Sequence, residues 1–510
     1  MERSLGKQIF GSDIRMILFL WILVLALWLV KLYWHRRHFF ILASRIPGPE
    51  KIPFFGVALE IIGKPRDDIL KILLSYYRNS PDIFKFWLGH ILFIGVSKPE
   101  HMEIVLTNPN TMNKSHLVAF TKPYMGDGLF SATEDIWKRH RKLINPVFNQ
   151  KALNSFIACF SEKCDILIGI LGKHVGQSNF NIYEKMAGCT LDIICETAMG
   201  LEVEAQTSSN FYGRLLDKAM ELVTYRMFHL YYHPKIIFDM NPMGKQLGKL
   251  VTKLNGFSQK IIAERRTEFE RKLRGDCIEE EDDKNFKTFL ELLLEISHKG
   301  IRFTDQEIQD EVNTFISAGS DTTAVALSFC CMTLGMYPEY QQKVYEEAIE
   351  VLGQDRYPTK ADLPKLKFTE MFIKETLRLF PIGPFLLRVA SDDFKMDDLT
   401  IPKDSIILIG IMHLHRSPKY WENPLKFDPY RFLPEKFSKV HPYSYLPFSG
   451  GPRVCIGYRY AMIVMKLILS KIVRKFELKT EYKSIEEIQL KINLMMRPSN
   501  GFKVTLQPRE

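Results

Sequence analysis

Cysteine is scarce in this chain, with only 8 residues among 510. A small disulfide-stapled fold is therefore excluded, because such scaffolds need a far higher density of cysteine. We also find no internal repeat and no linker in the body of the chain long enough to separate two domains. Hydrophobic residues make up 46% and charged residues 25% of the chain. This composition excludes a disordered chain, a collagen-like repeat and a coiled-coil rod, and it predicts a globular body.

The N-terminus contains the long apolar run of the sequence. Met16 to Trp34 is 19 residues long and interrupted only by Lys31, which is about enough to cross ~30 Å of hydrocarbon as a helix. A cleaved signal peptide is the alternative, but the run is too long and no small-residue cleavage site follows it. Basic residues are clustered more tightly after the run than before it, which predicts a cytosolic body. We therefore expect residues 1–34 to be a single-pass membrane anchor.

Residues 35–53 are predicted to form a basic, proline-rich hinge, because Pro47, Pro49 and Pro53 cannot continue the helix. Residues 54–510 are predicted to form one domain that is mainly α with a small β part. The spacing of apolar residues predicts three long helices, over Glu307 to Leu334, Leu363 to Phe380 and Tyr460 to Phe476. Strands are predicted over Ile83–Leu88, Ile91–Val96, Ile406–Ile409 and Phe502–Leu506. The acidic stretch Glu279 to Asp283 is predicted to be a solvated loop.

A glycine-rich turn directly precedes the last long helix. Its sequence is Phe448-Ser-Gly-Gly-Pro-Arg453-Val-Cys455-Ile-Gly457. The glycines permit tight backbone turns, while the helix N-terminus and Arg453 favour the thiolate form of Cys455. This arrangement is typical of a metal-ligating thiolate, although a buried structural cysteine is the alternative.

This turn resembles the haem-binding loop of the cytochromes P-450, Phe-x-x-Gly-x-Arg-x-Cys-x-Gly, at every fixed position. The resemblance implies the P-450 fold, in which haem b lies between a long central helix and the cysteine loop, with Cys455 as the iron ligand. Trp137 and Arg141 resemble the family pair that binds a haem propionate. The residues that the resemblance assigns to haem binding are Trp137, Arg141, Arg388, Phe448, Arg453, Cys455 and Gly457.

Glu375 and Arg378 resemble the Glu-x-x-Arg pair of the family, and Arg431 lies in a segment similar to the one that supplies a third member. The resemblance implies a buried structural triad that fixes the fold around the haem loop. Glu268 and Arg271 form a second match to the same spacing, which we interpret as a solvated helix face. A role outside catalysis is therefore expected for Glu375, Arg378 and Arg431.

The predicted central helix contains Ala318-Gly-Ser-Asp321-Thr322-Thr, which resembles the oxygen-activating motif of the family. We expect a distorted mid-helix turn here, with the Thr322 hydroxyl bonded to a backbone carbonyl. The resemblance implies that Thr322 assists oxygen activation and that Asp321 brings protons in from solvent. The wider stretch is similar to the fourth P-450 family and its insect relatives. Several of those relatives have glutamate in place of Ala318 and can esterify the haem, so here we expect non-covalent haem.

The resemblance implies a haem-thiolate monooxygenase that inserts one atom of O2 into a lipophilic substrate, such as a fatty acid, terpenoid, steroid or xenobiotic. Candidate substrate contacts are Phe315, Ala318, Ile382 and Phe385. A haem-thiolate isomerase or dehydratase, or a non-catalytic haem protein that binds a ligand, is the alternative. The aromatic segment Phe228 to Tyr232 is interpreted either as a lid at the membrane or as an internal cluster.

The electrons must come from another protein, because the sequence lacks a Rossmann glycine fingerprint and a flavin site. The resemblance implies NADPH–cytochrome P-450 reductase as the donor, with cytochrome b5 as a further partner, and no nucleic acid. We expect the protein in the endoplasmic reticulum membrane with its catalytic domain in the cytosol. The sequon at Asn113 should then remain unmodified.

Overall fold

The computed structural model describes residues 16, 19–24, 26–28, 30–31, 33–49, 55–208, 211–275, 287–300 and 303–509. Helices dominate this part of the chain, and the strands form small sheets, which confirms the predicted mainly α fold. The helices are α1 (Phe19–His35), α2 (Arg37–Arg45), α3 (Ala58–Ile61), α4 (Arg66–Asn79), α5 (Pro99–Thr107), α6 (Lys122–Met125), α7 (Glu134–Ile144), α8 (Gln150–Ser155), α9 (Ile157–Gly172), α10 (Tyr183–Ile194), α11 (Phe211–Phe228), α12 (Lys235–Met240), α13 (Pro242–Arg274), α14 (Phe289–His298), α15 (Asp305–Met336), α16 (Pro338–Leu352), α17 (Lys367–Leu379), α18 (Ile411–His415), α19 (Pro434–Phe437) and α20 (Tyr458–Lys475).

The strands lie mostly at the edges of the helical body. They are β1 (Ile83–Leu88), β2 (Ile91–Val96), β3 (Phe180–Asn181), β4 (Leu386–Val389), β5 (Phe394–Met396), β6 (Leu399–Ile401), β7 (Ile406–Ile409), β8 (Phe476–Lys479), β9 (Leu490–Asn493), β10 (Met495–Pro498) and β11 (Lys503–Pro508). The largest sheet has the order β1-β2-β7-β4, with β2 and β7 parallel and the other neighbours antiparallel. The predicted hairpin is confirmed, and Gly89 at its turn has a φ of +59°, a conformation that favours glycine.

Helix α15 is the centre of the fold and packs against α10, α17 and α20. It begins two residues before the predicted start, because Thr304 and Glu307 form a capping box in which each side chain accepts a hydrogen bond from the other residue's backbone. The helix is long and apolar enough to cross a bilayer, but 83% of its most apolar window is buried inside the protein. It is therefore a core helix, which positions the motif at residues 318–323.

The N-terminal segment joins the body earlier than its prolines suggest. Helix α2 contacts β6, and its N-terminal end is held by the contacts of Arg36 with Asp404 and of His38 with Asp393. The extended residues after it lie along β1, where the Pro47 carbonyl accepts a hydrogen bond from the Lys85 N–H at 2.7 Å. Among the described residues of the predicted hinge, 37–45 are helical and 47–49 are extended. Pro53 and the acidic stretch Glu279 to Asp283 lie outside the described residues.

Candidate active site

The loop before α20 positions the sulfur of Cys455. Gly451 has a φ of +67°, and a side-chain carbon there would lie 2.1 Å from the Leu106 carbonyl oxygen, so only glycine fits. The Cys455 N–H donates to the Phe448 carbonyl at 3.0 Å, which closes the loop. Helix α20 begins at Tyr458 with Gly457 as its N-cap, so the thiol lies just before the helix rather than in its first turn.

Opposing effects act on the ionisation of the Cys455 thiol. Burial raises the pKa of the Cys455 thiol, while the Gly457 N–H and the cations Arg141 and Lys114 act in the opposite direction. Desolvation outweighs these groups because much protein surrounds the sulfur, although its side chain is exposed on one side. The thiolate therefore needs a stronger positive charge next to the sulfur, such as a bound metal ion.

Four cations surround this loop: Lys114, Arg141, Arg388 and Arg453. Arg141 donates to the Val454 carbonyl at 2.9 Å, and Arg453 donates to the Ala132 carbonyl at 2.8 Å. The Arg453 guanidinium also stacks on Trp137, with 4.8 Å to the ring centroid. Within the described residues, none of the four forms an ion pair with a carboxylate.

Burial and the repulsion between neighbouring cations lower the pKa values of these side chains, so their positive charges are not fully neutralised by the protein. Desolvation is the main cause that lowers the pKa of Arg388 and of Arg453 to about 10 each. It also lowers the pKa of Lys114, with Arg388 and Arg453 adding repulsion. Two Arg453 nitrogens, Nε and Nη1, are buried and have no hydrogen-bond partner among the described residues. Desolvated cations without carboxylate partners are costly, so this set fits a cofactor with two carboxylates, as haem has.

Lys114 was missed by the sequence analysis. It lies in the coil between α5 and α6. Its neighbour Asn113 accepts a hydrogen bond from the Glu134 N–H at 2.9 Å through its side chain and one from the Val389 N–H at 3.0 Å through its backbone. These two bonds hold Lys114 next to Arg388, although 274 residues separate them along the chain. A single lysine in a coil offers no sequence pattern that could have indicated this.

Glu375, Arg378 and Arg431 come together as the resemblance implies. Arg378 donates to Glu375 through Nε at 2.7 Å and Nη2 at 2.8 Å, and both side chains are 0% exposed. Arg431 Nε lies 3.4 Å from the same carboxylate. Arg378 also donates to the His415 carbonyl at 2.6 Å, and His415 accepts from the Leu446 N–H at 2.8 Å. The pair is thereby linked to the start of the Cys455 loop. The second match differs, since the Glu268 side chain is 43% exposed.

The buried part of α15 has one short stretch where residues are partly accessible. Between residues 311 and 334, the residues that are not fully buried are Ala318, Gly319 and Thr322. Ala318 and Thr322 are four residues apart and share a helix face, and the Thr322 hydroxyl donates to the Ala318 carbonyl at 2.6 Å. The expected distorted turn does not interrupt the helix, which is continuous from Asp305 to Met336. These three positions are therefore where the buried part of α15 leaves surface accessible.

Asp321 lies at the next position but points to other partners. Its Oδ1 accepts hydrogen bonds from Arg497 Nη2 at 2.7 Å and from the Tyr183 hydroxyl. Oδ2 is buried and has no hydrogen-bond partner within the described residues. Asp321 therefore forms a buried pair with Arg497, a residue that the sequence analysis did not select.

The four candidate substrate contacts differ in their surroundings. The ring of Phe315 stacks on Phe148 at 5.4 Å and packs on Phe289 at 4.2 Å, with 6% exposure. Phe315 therefore packs as a core residue. Phe385 is partly exposed and stacks on Tyr77, and Ile382 is 8% exposed. Ala318 lies in the accessible stretch of α15 described above, so it has the surroundings that a substrate contact requires.

Comparison with known proteins agrees with these observations. A family model described as "Cytochrome P450" matches residues 46–506. "Cytochrome P450 4c21" from Blattella germanica is 34% identical over 91% of this chain and 94% of its own length. "Cytochrome P450 4V2" from Homo sapiens is 37% identical over 90% of this chain and 88% of its own length. "Cytochrome P450 4c3" from Drosophila melanogaster is 32% identical over 92% of this chain and 90% of its own length. The chain therefore belongs to the cytochrome P-450 family, close to its fourth family, as a haem-dependent monooxygenase with a redox partner protein and lipophilic substrates.

Proposed function

We propose that this monooxygenase holds haem b through the Cys455 thiolate and through the cations Lys114, Arg141, Arg388 and Arg453. The observation that carries the proposal is a group of buried cations without carboxylate partners, next to a cysteine whose thiol is exposed on one side. Two propionates would neutralise this group by charge-assisted hydrogen bonds. Trp137 would support Arg453 by its stacking contact, while Phe448 and Gly457 border the sulfur.

Bound haem supplies the activation of O2, and its thiolate ligand favours cleavage of the O–O bond. The protein's part is to deliver protons and to position the substrate. The Thr322 hydroxyl lies on the accessible face of α15, and because it donates its own hydrogen to the Ala318 carbonyl, its oxygen would accept a hydrogen bond that holds an incoming proton at this face. Asp321, one residue earlier, supplies that proton from the solvent side. We propose these two residues as the catalytic pair.

The substrate class is lipophilic, and Ala318, Ile382 and Phe385 are proposed to contact it. Ala318 has a methyl side chain and cannot form an ester, so the haem is held without a covalent bond to this position. A methyl group here also leaves more room above the haem than glutamate would. We propose a fatty acid, terpenoid, steroid or xenobiotic as the substrate.

We propose that residues 1–34 anchor the protein in the endoplasmic reticulum membrane, that 35–53 link the anchor to the body, and that 54–510 form the cytosolic catalytic domain. The described residues of α1 support this, because its apolar side chains are exposed, including Trp21 at 70% and Trp34 at 67%. Lipid is the environment in which such a surface is stable. NADPH–cytochrome P-450 reductase is the proposed electron donor, with cytochrome b5 as a second partner.

The thiolate bond is tested by carbon monoxide binding to the reduced protein. Wild type should show the Soret absorption diagnostic of a thiolate-ligated haem, and Cys455→Ser should lose it. Cys330→Ser is the matched control, because Cys330 is fully buried in α15 away from any proposed ligand role, and it should keep the absorption. A wild type without this absorption would refute the proposed haem ligation.

The proton role of Thr322 is tested by coupling. Thr322→Ala should keep its haem but divert electrons from product to hydrogen peroxide when reductase and NADPH are supplied, because the hydroxyl that would hold the incoming proton is lost. Thr323→Ala is the control, since Thr323 is buried on another helix face. Equal peroxide yields for wild type and Thr322→Ala would contradict the role.

A further inference from the structure

A cavity of about 200 Å³ lies among α4, α10, α11 and the sheet of β9 and β10. Its wall is strongly polar and includes Arg66, Arg214, Asp217, Glu221, Lys491 and Asn493. Charged and amide groups of this density hold water and do not suit a lipophilic substrate. Asp217 and Glu221 are 43% and 38% exposed, so the cavity communicates with solvent.

Tyr183 and Arg497 also line the cavity and separate it from Asp321. The Arg497 side chain is 7% exposed, and the Asp321 side chain behind it is 2% exposed. Arg497 also lies over the Tyr183 ring, 4.2 Å from its centroid. These two side chains are therefore the barrier between cavity water and the buried carboxylate.

Arg497 is shared between an inner and an outer carboxylate. Its Nη2 lies 2.7 Å from Asp321 Oδ1, and its Nη1 lies 3.1 Å from Asp217 Oδ1. A guanidinium with two such acceptors can strengthen one bond as it gives up the other, with no loss of its counter-charge. Because Asp217 is exposed and Asp321 is buried, the two positions of Arg497 differ in whether water reaches Asp321.

We propose that this cavity is the proton inlet of the enzyme and that Arg497 is a positioning residue that opens it by moving from Asp321 toward Asp217. The inference rests on the proposed function, in which Asp321 passes protons toward Thr322. With Arg497 on Asp217, a hydronium ion in the cavity gives its proton to Asp321 and remains as water. When Arg497 returns, Asp321 gives that proton up on the Thr322 side and is again a carboxylate.

The test compares two carboxylates on α11 that both line the cavity. Asp217→Asn removes the outer partner of Arg497, whereas Glu221→Gln leaves every contact of Arg497 in place. In the full-length enzyme with reductase, we expect Asp217→Asn to raise the ratio of peroxide to product about tenfold, the factor expected from losing a hydrogen bond between charged groups. We also expect a larger solvent deuterium isotope effect on product formation. Glu221→Gln should match wild type in both measurements.

A measurement without turnover tests the same contact. Arg497→Met should leave Asp321 buried without a cation, so that it takes up a proton and shows the infrared carbonyl band of a carboxylic acid in the resting protein. The band should be absent from wild type and should disappear when Asp321→Asn is added. Arg497→Lys should not show it.

The results distinguish the inlet from the proposed function. If Asp217→Asn couples like wild type, or if Arg497→Met shows no carboxylic acid band, the inlet is wrong, whatever Thr322→Ala does. If Thr322→Ala also leaves coupling unchanged, the proposed proton role fails as well. Increased peroxide in Asp217→Asn, together with the new band in Arg497→Met, would support the inlet.

Discussion

Replacing Glu375 by glutamine tests whether the buried pair with Arg378 stabilises the fold around the haem loop. Glu375 accepts two hydrogen bonds from Arg378, at 2.7 and 2.8 Å, and one from the Asp428 N–H at 2.8 Å. Glutamine keeps the shape of the side chain but removes its charge. Its NH2 group is a donor in the place of a carboxylate oxygen that accepted a hydrogen bond, so two donors would face each other there. Arg378 then remains as a cation with 0% exposure and no counter-charge.

The expected loss follows from that burial. Breaking a buried ion pair by removing one partner costs about 3–5 kcal/mol, because the remaining charge stays desolvated. Arg431, 3.4 Å from the same carboxylate, loses its partner too. Glu268→Gln is the matched control with the same Glu-x-x-Arg spacing. Its side chain is 43% exposed and pairs with Arg265 and Lys272, so its loss should be below about 1 kcal/mol.

The free energy of unfolding is measured by urea titration of the detergent-solubilised proteins, followed by tryptophan fluorescence and by the Soret absorption of the haem. Because Arg378 connects through His415 to Leu446, we expect the haem signal to be lost at a lower urea concentration in Glu375→Gln. A loss for Glu375→Gln no larger than that for Glu268→Gln would refute the reasoning. Arg378→Lys should also destabilise the protein, since lysine cannot donate the two parallel bonds to Glu375.

Three further outcomes are expected. Lys114→Met should release haem to an acceptor protein about 10- to 100-fold faster than wild type, since it loses one charge-assisted hydrogen bond, and Lys114→Arg should restore the wild-type rate. Gly451→Ala should lower the haem content of the purified protein, because the new methyl group would contact the Leu106 carbonyl at 2.1 Å; unchanged haem content would contradict this. Burial lowers the pKa of His413 to about 4, so the unfolded chain binds a proton that the folded protein does not. Stability should therefore fall as pH decreases from about 6.5 toward 4, and His413→Gln should show a smaller fall in the urea midpoint between about pH 7 and pH 5.

Elements with strong local patterns could be predicted from the sequence. The hairpin strands and Ile406–Ile409 match their predicted bounds, because short apolar runs specify the strands, and the turn at Gly89 specifies the pairing of β1 with β2. The central helix was predicted with a start at Glu307, and its capping box moves the start to Asp305. The side chains Glu375, Arg378 and Arg431 were selected by a motif, and they lie together. A motif can indicate such residues because their chemistry requires certain residue types at a fixed spacing.

Contacts between distant segments could not be predicted in this way. Lys114 and Arg497 have no neighbouring pattern, and each acquires its partners only when separate elements pack. Phe315 shows the same limit, because helical spacing placed it near Ala318 while Phe148 and Phe289 determine its surroundings.

The docking of α2 bears on how a detergent-free form of the enzyme should be shortened. The prolines at 47 and 49 look like a natural place to cut, but a chain that starts there loses the Arg36 and His38 ion pairs. It also loses the edge-on contact of Phe39 with Trp87, at 6.0 Å, and so exposes one face of β1. A truncated protein that begins just before Arg36 keeps this face of β1 covered and omits the apolar helix α1.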